Sequence, residues 1–72
     1  MSSLGLDTVR IERLENGGWL VVVRIGYQRG NFVIMEEKRQ VFLYHHKEPE
    51  YKPLHRALDY VRWCYETYQP AC

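Results

Sequence analysis

The sequence is poor in the residues that carry most chemistry. It has two cysteines and three histidines in 72 residues, and its only serines are Ser2 and Ser3. Cys64 and Cys72 lack the close spacing of a zinc site, and no pair of histidines sits at ligand spacing. His45 and His46 are adjacent, so on a strand their rings point to opposite faces. These absences predict no metal and no cofactor. Nucleophilic catalysis lacks a serine outside the first residues, and Cys64 falls on the apolar side of a helical pattern, where buried thiols are inert. Glu36 and Glu37 are the one adjacent carboxylate pair, and adjacent residues on a strand diverge. The glycines at 26 and 30 match no phosphate-binding motif. A chain this short does not readily enclose a substrate pocket of several hundred Å³. The expectation is that the protein is not an enzyme.

Charge of one sign is also missing. Ten basic and nine acidic residues leave a formal charge of +1. No global field commits the chain to nucleic acid or to an anionic surface. No apolar run approaches the roughly 18 residues of a membrane span. The first residues are too short and uncharged for a signal peptide. With the cytoplasm as the expected compartment, the two thiols are expected reduced rather than bridged.

What is present is a folded composition, 46% hydrophobic and 14% aromatic. One domain spans residues 1–72, with 1–7 expected as a mobile tail. Thr8 to Leu14 alternates like a strand. Asn16-Gly17 follows and predicts a type I′ hairpin turn, because both of its central positions need positive φ. Trp19 to Ile25 is the strongest strand, apolar on both faces. Gly26 to Asn31 reads as a loop, and Phe32 to Met35 as a further apolar run. The charged run Glu36 to Arg39 fits a turn or the middle of one long strand. Gln40 to His45 is strand-like again.

From Pro53 the period becomes helical, through residue 68. Leu54, Ala57, Leu58, Val61, Cys64 or Tyr65, and Tyr68 form one stripe. Arg56 to Asp59 and Arg62 to Glu66 stand at ion-pair spacing. Residues 70–72 are a frayed end. Strands over 8–46 followed by one helix over 53–68 give an α+β fold: an antiparallel sheet of three to four strands with the helix on one face. Leu20, Val22, Phe42 and Tyr44 are then left on an uncovered second face. So small a core predicts a partner chain, and a homodimer is the simplest one.

Two functional classes lead, and a structural subunit of a larger particle is a third. Protein binding is favoured by exposed aromatics and charges, with Tyr27, Arg29, Glu36, Glu37, Tyr60 and Trp63 as candidate contacts. Nucleic-acid binding is the alternative, through Arg24, Arg29, Lys38 and Arg39 interleaved with sheet aromatics.

The run Glu15-Asn16-Gly17-Gly18-Trp19-Leu20-Val21-Val22, the strand Val41-Phe42-Leu43-Tyr44 and the closing Ala57-Leu58-Asp59-Tyr60-Val61 resemble a layout found in small accessory proteins of bacteriophages and prophages. The anti-CRISPR and other anti-defence inhibitors are of that type. The resemblance implies a non-enzymatic protein that blocks a larger host complex by occupying its surface.

Overall fold

The computed structural model describes residues 4–68. Three strands, β1 (Leu4–Arg13), β2 (Trp19–Arg29) and β3 (Phe32–Phe42), form an antiparallel sheet in the order β1-β2-β3. One helix, α1 (Lys52–Thr67), packs on one face, which makes the fold α+β. The expected start and end lie partly outside the described residues: 1–3 of the tail and all of 70–72. Residues 4–7 belong to β1 and not to a tail, because Leu4, Gly5 and Leu6 pair with Tyr27, Gly26 and Ile25.

The core is built by β2. Val21, Val23 and Ile25 alternate onto one face and meet Ala57 and Cys64 of α1, all without solvent exposure. Of the expected helical stripe, Cys64 rather than Tyr65 faces in, and Leu58 is exposed. Tyr60 is the added inward contact, its ring 5.7 Å from that of Phe42. Pro53 sits in the first turn of α1, where its missing N–H costs nothing.

Both hairpins depart from expectation in an instructive way. The first uses a three-residue loop, Glu15 to Gly17, rather than a type I′ turn. Gly17 N–H donates to Leu14 O at 3.1 Å, and Leu14 N–H donates to Gly18 O at 2.8 Å. Only Gly17 takes positive φ (86°), while Asn16 does not. Asn16 Oδ1 instead accepts from Gly18 N–H at 3.0 Å. A side chain on Gly18 would meet Phe42 O at 2.7 Å, so this position needs glycine for close approach.

The second hairpin replaces the loop expected over 26–31. β2 continues to Arg29, and only Gly30 and Asn31 turn. Gly30 has φ 64° and Asn31 is not positive, the pattern of a type II′ turn. The charged run Glu36 to Arg39 is the middle of the long β3.

This short turn also fixes which face each β3 residue takes. Trp19 pairs with Phe42 and Leu20 with Val41. Phe42 therefore lies on the helix face, correcting its assignment to the opposite one. Tyr44 lies past the end of β3, which stops at Phe42 rather than His45. The far face is mixed: Val33, Met35 and Val41 are exposed on it among charged residues. Val22 is only 3% exposed there, with Arg10 and Arg39 in register on either side of it. Their long aliphatic stems shield such a position while the guanidinium groups stay wet.

Candidate binding site

The connection between β3 and α1 is held by one arginine. Arg56 Nη1 and Nη2 donate to the two carboxylate oxygens of Glu48, each at 2.8 Å. Arg56 Nη2 also donates to Leu43 O at 2.9 Å. Glu48 Oε1 accepts from His45 N–H at 3.0 Å. The paired hydrogen bonds from the Arg56 guanidinium hold the Glu48 carboxyl at about 2, against an ordinary 4.5. The expected Arg56 to Asp59 pair is thus replaced by this longer-range fork. A planar guanidinium binds a carboxylate with two parallel bonds, which an Asp one turn away does not offer as well. The Arg62 to Glu66 pair does form, at 3.2 Å.

The clamp ties the connection over 43–51 to α1, and Tyr44 of that connection lies beside Gly17 of the first hairpin. Between them opens a cleft of about 500 Å³, exposed to solvent on one side. Trp19, Tyr44 and Tyr51 supply its aromatic walls. Arg13, Glu15 and Glu50 bring charges of both signs, and Asn16 and Gly17 line the turn side. Tyr51 is set by its place at the start of α1, its ring 4.8 Å from His55. Such a cleft takes an apolar side chain between rings and a polar or charged group at its rim. The sequence expectation was that no pocket of this volume forms. This one is open to solvent and arises where two loops meet.

The expected contact residues are brought together only in part. Tyr60 and Trp63 stack on α1 at 5.9 Å, and Tyr68 meets Trp63 edge-on at 5.9 Å. Burial pushes the Tyr60 hydroxyl above its ordinary pKa. Tyr27 and Arg29 lie toward the Gly30 end of β2, away from that cluster. Glu36 stands opposite Ile25 and Glu37 opposite Arg24, so the two carboxylates occupy opposite faces. The nucleic-acid set is divided as well. Arg24 and Arg39 are on the far face, with Arg39 bound to Glu37 at 3.2 Å. Lys38 is on the helix face, its Nζ 5.9 Å from the Tyr68 ring centre. Arg29 ends β2.

The cleft residues escaped the sequence reading for a physical reason. Trp19 and Tyr44 are 25 positions apart and meet only because β2 and β3 pair. The one local signal was the Asn16-Gly17-Gly18 turn, which marks one rim.

Among the described residues, no group of His, Cys, Asp and Glu is placed to hold a metal ion. No helix there is long and apolar enough to cross a membrane. Comparison with protein-family models, curated proteins and solved structures gives no match.

Proposed function

We propose that the chain is a non-enzymatic protein-binding module. It takes a segment of a larger partner protein into the cleft beside Trp19, Tyr44 and Tyr51 and so occludes that partner. The cleft itself carries this reading: three rings around a solvent-open recess, polar groups of both signs at its rim, and a clamped wall behind it. Aromatic side chains in a recess give large contact area at low entropic cost, which is what interface anchors need. The resemblance to phage and prophage accessory proteins extends the proposal to an inhibitor of a bacterial defence or regulatory complex.

The test is a pull-down from nuclease-treated bacterial lysate at moderate and high salt. Wild type is compared with the double variant Tyr44→Ala/Tyr51→Ala, whose fold is checked by circular dichroism. One stoichiometric protein partner, retained by wild type and lost by the variant, supports the proposal. Equal recovery on both proteins refutes the cleft. Recovery that vanishes with nuclease moves the function to nucleic acid. Trp63→Phe leaves Trp19 as the single tryptophan, so a purified partner must then shift its fluorescence.

A further inference from the structure

The sheet has two open edges of unequal kind. β1 is broken by a register shift between Leu6 and Thr8. A bulge of this sort is a common way to blunt an edge against pairing. β3 has none: its 11 residues Phe32–Phe42 pair with β2 without interruption and contain no Gly or Pro. A two-residue turn closes on Arg29 and Phe32 as a hydrogen-bonded pair. The alternation of the ladder then aims the backbone N–H and C=O groups of Val33, Met35, Glu37, Arg39 and Val41 outward. A flat edge of this length is a template for another strand.

We propose that a second copy of this chain occupies that edge, by antiparallel pairing of β3 with β3 about a two-fold axis at Glu37. Both sheets then join into one, with both helices on the same face. An axis at Glu37 sets Phe32 opposite Phe42, Val33 opposite Val41, and Glu36 opposite Lys38 of the second copy, each pair occurring twice. The strand thus matches its own reverse in charge at 36 and 38 and in apolarity at 32, 33, 41 and 42, while Ile34 faces Gln40 and Met35 faces Arg39. Phe32 and Val33 are 73% and 71% exposed in the single chain, and this register gives each an apolar neighbour. Glu37 meets its own copy on the far face, where each is already bound by Arg39 at 3.2 Å.

The helix supports the same occupant independently. Tyr60 rests on Phe42, Trp63 stacks on Tyr60, and Tyr68 lies between Trp63 and Lys38. Phe42 and Lys38 belong to β3, so this aromatic row borders the β3 edge. Trp63 is half exposed there. In the paired sheet the two helices stand over β2 and its copy, about three strand spacings or ~14 Å apart. That gap is wider than direct helix packing, and Trp63 from each side fills it.

Sedimentation equilibrium on the full chain tests the proposal. Wild type is expected to be a dimer at micromolar concentration. Glu36→Lys and Lys38→Glu each place like charges opposite one another twice, and each should weaken the dimer about tenfold. The double exchange Glu36→Lys/Lys38→Glu should restore it. In a Cys72→Ser background, Glu37→Cys should form an intermolecular disulfide, because directly opposed hydrogen-bonded residues lie about 5.5 Å apart at Cα. A wild type that stays monomeric to about 0.5 mM overturns the proposal, and so does equal association of all the charge variants. A monomer that pairs β3 only with another protein counts as the first of these outcomes.

Discussion

Both ends of the β2–β3 hairpin carry apolar residues, and they hold them in opposite environments. At the base, Val21, Val23 and Ile25 are sealed beneath α1. At the tip, Phe32 and Val33 stand in water. The difference follows from length and not from composition. A helix of 16 residues spans about 24 Å, while a strand of 11 spans about 36 Å. The helix therefore covers the base and leaves the tip to be covered by something else. Apolar residues in a strand show that a surface needs a cover, without saying which element supplies it.

The sharpest way to break the comparison is to truncate at both ends. Ile25→Ala should destabilise the chain by about 3 kcal/mol, through lost burial and a cavity under α1. Phe32→Ala should change it by less than about 0.5 kcal/mol when the chain is kept dilute enough to be monomeric. Urea denaturation followed by far-UV circular dichroism reads both. A comparable loss at both ends would mean that the tip is covered within one chain.

Overfilling the base comes next. Ala57 has no exposed surface and faces the β2 valines, so Ala57→Leu should cost about 2 kcal/mol. An unchanged denaturation midpoint would show that α1 lifts off the sheet easily. Smaller still is the cost of the turns. Gly17→Ala should cost about 1 kcal/mol and Gly30→Ala somewhat more, since both glycines have positive φ and the first central position of a type II′ turn lies outside the left-handed helical region. An added Cβ meets Tyr44 only at ordinary contact distance in one case and open space in the other, so the backbone dominates both. A larger loss at Gly17 than at Gly30 would reveal a packing role for the first turn.

The last effect depends on acid. The Glu48 carboxyl is held down to about 2 in the folded chain against 4.5 for an unperturbed carboxyl. Its stabilising contribution is thus fully present above pH 4.5 and is lost as pH falls toward 2. Glu48→Gln should flatten that part of the stability profile while leaving Phe32→Ala additive with it. A profile unchanged by Glu48→Gln would place the acid sensitivity elsewhere.

Much of this fold was legible from local pattern. Trp19 to Ile25 alternates onto one face, and Ala57, Val61 and Cys64 recur at helical spacing, because each pattern answers to its own element. Gly26 to Asn31 misled for the opposite reason. Gly26 looks like a loop residue, yet in the sheet it stands opposite Met35. Whether a glycine turns or pairs is decided by the facing strand, which no local window contains. The face of Phe42 was hidden for a related reason: alternation within 40–45 sets Phe42 and Val41 on opposite faces, and only the pairing of Phe42 with Trp19 tells which of them meets the helix. Glu48 was invisible as a partner of Arg56 because the fork spans eight positions and a loop. The cleft is further still from local pattern, as two loops must meet before it exists.

Cys64 gives the molecule a built-in clock. Its side chain has no solvent exposure, and burial pushes the thiol above its ordinary pKa. A thiol-specific reagent therefore reaches Cys64 only during the moments when α1 has parted from β2. The pace of its modification counts those partings, even where the folded population as a whole looks unchanged.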